Sequence, residues 1–295
     1  MKFKSLITAL LLSIFLVTPI AFLNNAFAYN YDMDLSNVGG DDYGTYTNIW
    51  EIVGSATSEV EQWFGPTFGV MAGNDGVFNA GDAFKEMTIL AEVSFKNAPG
   101  DLSPEGLLNL NGTGMNLYLL GTGLTGYASS VTPGATLADY TFDYVFTGAT
   151  ELSLYIDDDG DFTDGIKIAG FNFVKGDGAG DDGFLGVGSP TGSTRLTLEF
   201  DNALTDDGIF IGEDLLDLGN LPLGITAFLE LTTTNTVTAV PTFNLGATPT
   251  GVTGFNADVS SATQMVVNVV PEPATLVLFG IGLLGLAGIS RKKLS

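Results

Sequence analysis

Two stretches of this chain bring oxygen-bearing side chains close enough together to hold a hard cation. In DDDGDFTD, Asp157, Asp158, Asp159, Asp161 and Asp164 fall within eight residues. Calcium takes roughly six to eight oxygens and favours carboxylates at short alternate spacing, with a glycine where the loop turns back. On that chemistry Asp157, Asp159, Asp161 and Asp164 are the best ligand candidates. In NDGVFNAGD, Asp75 and Gly76 fit the fifth and sixth places of a twelve-residue calcium loop, Asn79 the ninth and Asp82 the twelfth. Both patterns are partial. Phe162 stands where the first stretch needs its turn glycine and no Glu closes it, while Met71 and Gly73 leave the second without its first two side-chain oxygens. The competing expectation is a polar hairpin turn, in which Asp bonds its own backbone and Gly takes a positive φ. Calcium is the one candidate cofactor.

The chain contains no cysteine and no histidine. That excludes a Ser-His-Asp triad, a Cys nucleophile and the usual nitrogen or sulfur sites for zinc and copper. Two carboxylates roughly 5 to 9.5 Å apart suffice for glycoside hydrolysis, but a chain this acidic always supplies some such pair, so the pattern carries no weight. Trp50 and Trp63 are the two tryptophans available to stack on a sugar, and both suit core positions better. The reading is a protein that is not an enzyme, with a carboxylate-based glycan-active enzyme as the remote alternative.

The two ends explain how such a chain is handled. Lys2 and Lys4 precede an apolar run from Leu6 to Phe22, and Ala26-Phe27-Ala28 follows. Charge, apolar run and small-x-small site are the parts of a secretory signal peptide, residues 1–28, with cleavage after Ala28 set by Ala26 and Ala28. At the other end, Ala274 to Ser290 carries no charge and Arg291, Lys292 and Lys293 follow at once. Seventeen uncharged residues are about the shortest helix that spans a hydrocarbon core of ~30 Å. Basic residues stay cytoplasmic, so the body lies on the far side of the membrane.

The order Pro271-Glu272-Pro273, short glycine-containing apolar helix, Arg291-Lys292-Lys293 resembles the PEP-CTERM sorting tail of exported proteins of Gram-negative bacteria. The resemblance implies that exosortase, a membrane enzyme, recognises the triplet and cuts near it. The body would be held transiently at the inner membrane and released to the cell surface or extracellular matrix. A fainter resemblance, carried by GTYTNIWE (44–51), the loop near Asn74 and LSLYIDDDGDF (152–162), is to flocculation-associated members of that class. It implies a structural or adhesive role among exopolysaccharides and other matrix components in biofilm or floc. A calcium-dependent carbohydrate-binding module is the alternative.

Between the targeting segments, residues 29–268 form the body and 269–295 the tail. The mature region, Tyr29 to Val270, has five basic residues against thirty-three acidic ones. So negative a surface repels nucleic acid and anionic lipid and attracts cations. With no disulfide, stability must come from the core and from sheet hydrogen bonds.

Alternation of apolar and polar residues fixes the fold class. DYTFDYVF (139–146), ELSLYI (151–156) and STRLTLEF (193–200) have the period of half-buried strands. In IKIAGFNFV the apolar phase shifts after Gly170, which predicts a bulge there. Further strands are expected at 45–53, 88–95, 115–120, 225–232 and 265–269, and Thr232–Thr236 reads as a loop or an exposed edge. Many short strands, thirty-nine glycines and turns such as Pro133-Gly134 predict an all-β fold. The expected form is an antiparallel β-sandwich, jelly-roll-like, with one C-terminal transmembrane helix.

Overall fold

The computed structural model describes residues 30–40, 42–96, 105–107, 116–136, 139–157, 165–180, 190–205, 208–212, 217–222 and 225–271. The signal peptide, Asp158 to Asp164 and the tail from Glu272 onward lie outside them. All the regular structure described is strand: β1 (Tyr31–Asp34), β2 (Thr45–Ile49), β3 (Glu51–Trp63), β4 (Ala83–Lys96), β5 (Glu105–Leu107), β6 (Asn116–Thr132), β7 (Thr141–Gly148), β8 (Glu151–Asp157), β9 (Ile166–Gly180), β10 (Pro190–Phe200), β11 (Phe210–Gly212), β12 (Ile225–Val237), β13 (Thr242–Leu245) and β14 (Val252–Pro271).

The fold is all-β and antiparallel, as expected, but the jelly-roll order is corrected. The main sheet runs β4-β3-β14-β12-β10-β9-β7-β6, and β6 pairs back onto β4. The closing ladder runs from Ala83 opposite Tyr127 to Leu90 opposite Leu119. β7 and β8 act as one interrupted strand, since β6 and β9 pair with both. The ring therefore has eight strand positions in chain order, an up-and-down closure without the crossing connection of a jelly roll. The physical reason lies in the connections. Each long strand is followed in sequence by its neighbour, and closure leaves the ring without edges. Its walls still face each other over a shared core, as the layers of a sandwich do.

An eight-stranded ring is just wide enough for side chains to fill, and the inward rows fill it in layers. Toward the end where β14 finishes, Ile52, Leu117, Leu154, Ile156, Ile168, Leu198, Leu229, Met265 and Val267 are buried together. A small sheet, β11-β1-β2, brings Tyr31, Met33, Ile49 and Phe210 against that layer. At the opposite end Phe64, Phe78, Val237, Phe255, Ala257 and Val259 form a second cluster. Phe78 stands edge-on to Phe142 at 5.3 Å and to Phe255 at 6.0 Å. Its connection, the segment between β3 and β4, is thereby fastened over the ring.

On β3 and β14 the outward rows are polar, while Met87 of β4, Tyr127 of β6 and Val174 of β9 expose apolar side chains. Ser55, Thr57, Glu59 and Glu61 on β3, and Asp258, Ala262 and Gln264 on β14, face solvent. A lipid-embedded barrel inverts this pattern, with an apolar belt outside and a polar interior.

Several strand expectations need adjusting. The stretch 45–53 breaks at Trp50 into β2 and β3, which belong to different sheets, because Asn48 takes φ 59° and turns the chain. The bulge expected at Gly170 falls earlier, where Leu154 pairs with Ala169 and Tyr155 with Lys167. A second irregularity skips Val174. Thr232–Thr236 is neither loop nor edge; it lies within β12, between β10 and β14.

Candidate functional site

β14 carries the start of the sorting segment. Val269, Val270 and Pro271 pair with Ala227, Thr226 and Ile225 of β12. Pro271 thus ends a barrel strand, while Glu272, Pro273, Arg291, Lys292 and Lys293 lie outside the described residues. The same is true of Ala26 and Ala28.

Of the first acidic stretch, Asp157 is described and Asp159, Asp161 and Asp164 are not. Asp157 ends β8, pairs with Asn116, and is 2% exposed. The register puts this connection at the same end of the ring as Pro271.

The second acidic set is fully described, and its side chains serve their own loop. Asp75 accepts from the Val77 amide at 2.9 Å and from the Asn79 side chain at 3.1 Å, and Asp82 accepts from the Asn79 amide at 2.7 Å. The first is the Asx turn of the competing expectation, and the other two bonds close the same loop. Desolvation, opposed by that amide hydrogen bond and reinforced by the charge of Asp75, pushes the Asp82 carboxyl up to about 6. Among the described residues no group of three or more acidic side chains is arranged to hold a metal ion.

Sequence reasoning missed the middle of the barrel. Between the two apolar clusters lies a polar layer. On one wall Ser58 and Thr88 share a 2.9 Å hydrogen bond, and the Thr88 hydroxyl donates to Glu86 Oε1 at 2.9 Å. On the other, Asn235 Nδ2 donates to Thr194 Oγ1 at 2.8 Å, Thr194 and the Tyr144 hydroxyl lie 2.6 Å apart, and Tyr144 donates to the Ser193 carbonyl at 2.8 Å. Asn235 Oδ1 accepts from Ser261 and Thr233. Donors and acceptors run in one direction along this chain, so every member is satisfied.

Glu86 and Asn235 line two small internal cavities. The larger, about 40 Å³, is walled mainly by Phe84, Phe142, Phe255 and Val60. The smaller, about 10 Å³, is ringed by Ser58, Thr88, Thr194 and Ser261. These hold a few waters at most. Burial raises the Glu86 carboxyl above the ordinary range, against the hydrogen bonds from Thr88 and Ser58. Burial also raises the Tyr144 hydroxyl, with the Glu86 charge adding to it. One signal could have located the layer: Glu86 falls in the inward phase of FKEMT with Phe84, a charge in step with core residues.

A closed, polar-faced β-barrel joined at its last strand to a targeting segment defines an exported, sorted protein. The chain carries a PEP-CTERM protein-sorting motif at residues 269–292, and that motif implies handling by exosortase, with transient membrane anchoring before release. No curated protein matches the chain significantly. Among solved structures, the outer membrane protein AlkL, determined by solid-state NMR in DMPC bilayers, is 12% identical with a TM-score of 0.14, over 76% of this chain and 90% of that one. At that score the likeness carries no structural argument.

Proposed function

We propose that the protein is a non-enzymatic component of the cell surface or extracellular matrix of a Gram-negative bacterium, with a structural or adhesive role among exopolysaccharides in biofilm or floc. The observation that carries this reading is the union of a sorting motif with a closed barrel whose outward rows on β3 and β14 are polar. The outer wall is strongly acidic and rich in hydroxyl and amide side chains, suited to hydrogen-bonding polysaccharide directly or through divalent cations. The interior is occupied by its own side chains. Its carboxyl, Glu86, lies between two apolar clusters, which supports structure over turnover. Deleting the gene should reduce floc or biofilm cohesion without a growth defect on any single sugar. An unchanged deletion strain removes the matrix role, and glycan hydrolysis lost on substituting one Asp or Glu removes the non-enzymatic one.

A further inference from the structure

The outward row of β3 is polar as far as Glu61 and then ends in an aromatic. Trp63, which the sequence suited to the core, stands half-buried on the outer wall, because Gln62 and Phe64 on either side of it take the inward places. Register builds a row through it. Gly254 of β14 pairs with Trp63, the pairing of Gln62 with Phe84 brings Trp63 level with Ala83 of β4, and Ala83 pairs with Tyr127 of β6. Tyr127 is 41% exposed. Two aromatic side chains thus stand two strands apart, ~10 Å at the usual strand spacing, with the small Ala83 between them and Gly254 beyond the indole. The next outward row is polar, with Asn256, Glu61, Lys85 and Thr125 following one another across the same four strands. The indole is held in place: its Nε1 donates to the Val70 carbonyl at 3.1 Å, and the Phe68 ring packs against it at 6.0 Å. Lys85 Nζ in turn sits 4.1 Å over Phe68.

We propose that these two rows bind an uncharged stretch of polysaccharide, with Trp63 and Tyr127 stacked on sugar rings and the polar row bonding their hydroxyls. This rests on the matrix reading and adds where on the barrel the glycan lies. A pyranose ring turns C–H bonds outward from its face and hydroxyls from its rim. The negative face of an aromatic ring attracts the first, and amide, carboxylate, ammonium and hydroxyl groups side by side supply both donors and acceptors for the second. Charge selects a neutral chain. Glu61 and Lys85 pair across β3 and β4, so the polar row carries no net charge, while the acidic body around it repels an acidic glycan. Position argues against lipid as the occupant. Gly254 lies near the start of β14, whose 20 residues end at Pro271, so the rows sit at the end of the ring remote from the sorting motif. Because the indole is already fixed by Val70 and Phe68, binding has little side-chain freedom left to remove there.

The test measures binding of the protein, as its host exports it, to two probes with calcium chelated: the neutral and the acidic fractions of that host's exopolysaccharide, separated by anion exchange. Tyr127→Ala trims an exposed side chain and leaves the ladders in place. Trp63→Ala also frees the segment held by its indole, so Tyr127→Ala decides where the two disagree. The expected result is binding of the neutral fraction that each substitution weakens by about tenfold or more, the loss typical of a truncated aromatic anchor. The Tyr127→Ala protein should keep the native melting temperature, and Leu204→Ala, exposed at the opposite end of the ring, should bind as the native chain does. Unchanged binding in Tyr127→Ala, binding of the acidic fraction alone, or binding of neither overturns this site. A change of oligomeric state in Tyr127→Ala with glycan binding intact assigns the rows to a second copy of the chain and overturns it too. The matrix reading is decided separately, by cohesion of the deletion strain: cohesion lost on deletion but kept in a Tyr127→Ala strain leaves that reading standing without this site.

Discussion

Inside the ring, Ser261 on β14 donates a 2.7 Å hydrogen bond to Asn235 on β12. Asn235 hands the connection on to Thr194 of β10, so a single amide ties three neighbouring strands. Asn235→Leu would leave Ser261, Thr233 and Thr194 without their partner in a layer that bulk water does not reach. Unpaired buried groups cost about 1–3 kcal/mol each, before the freed hydroxyls find new partners. The expected loss is about 2–4 kcal/mol, read as a lower denaturation midpoint with an unchanged slope. Ser261→Ala, which removes one donor, should cost about 1 kcal/mol.

Thr263 provides the converse test. Its hydroxyl is buried and has no hydrogen-bond partner, two residues along β14 from Ser261. Thr263→Val keeps the shape and removes the unsatisfied group. It should therefore leave stability unchanged or raise it by up to ~1 kcal/mol. A loss of more than that would show that the hydroxyl is bonded in solution.

The threonine-rich β12 shows where legibility in the sequence stops. Alternation located DYTFDYVF, ELSLYI and STRLTLEF because their apolar residues recur at every second position, and β7, β8 and β10 follow closely, although in β8 the intervening Ser153 is buried too. It missed Thr232–Thr236, since threonines on both faces carry no phase, although Thr233 and Asn235 point inward and Thr234 outward. Closure was illegible for a different reason. The pairing of Ala83 with Tyr127 and Leu90 with Leu119 depends on ring geometry, and an alternating strand reads alike in a sandwich and a barrel. The sorting segment was legible in full because its recognition depends on order along the chain. The interior polar layer depends on which strands meet across the ring, and no local pattern states that.

A close approach at β14 gives another expected outcome. A Cβ on Gly254 would collide with the Gln62 carbonyl of β3, which is backbone and cannot swing aside. Gly254→Ala should push apart the upper rungs between β3 and β14, where Asn74 also fastens the loop by donating to the Thr253 carbonyl at 2.9 Å. Destabilisation of about 1–3 kcal/mol is expected. Hydrogen exchange should locate it in residues 62–64 and 252–255.

Acid should stabilise the body through two carboxyls that burial raises, Asp82 and Glu86. Asp82 is raised to about 6 from the ordinary value of 3.8, and Glu86 is raised as well. Between the unfolded and folded values the native state holds a proton that the unfolded chain does not. The sign follows: stability from Asp82 is fully present below about pH 4, declines as pH rises toward 6, and stays at the lower level above it. Melting temperature should rise on acidification from pH 7 to pH 4.5. Asp82→Asn should melt above the native chain at pH 7, with the gap closing as pH falls. A gap independent of pH would mean that Asp82 titrates normally.

Calcium distinguishes the two acidic stretches. Asp75, Asn79 and Asp82 already satisfy one another and the amides of Val77 and Asn79, so a cation there would have to displace formed hydrogen bonds. The stretch from Asp157 to Asp164 offers five carboxylates in eight residues. At an effective dielectric near 20, two charges ~5 Å apart repel by about 3 kcal/mol before screening reduces it. A divalent ion would relieve that repulsion in the folded chain, where β8 and β9 hold the ends of the stretch together. Extracellular modules bind calcium on the order of 10⁻⁴ to 10⁻³ M, and at one hundred times Kd the gain is about 2.7 kcal/mol. Thermal melts with millimolar calcium against EDTA should show a rise that disappears when Asp159→Ala and Asp161→Ala are combined. Asp75→Ala should leave that rise intact. If instead the rise survives the double substitution, the stretch is an ordinary polar connection and the surface charge as a whole is what calcium neutralises.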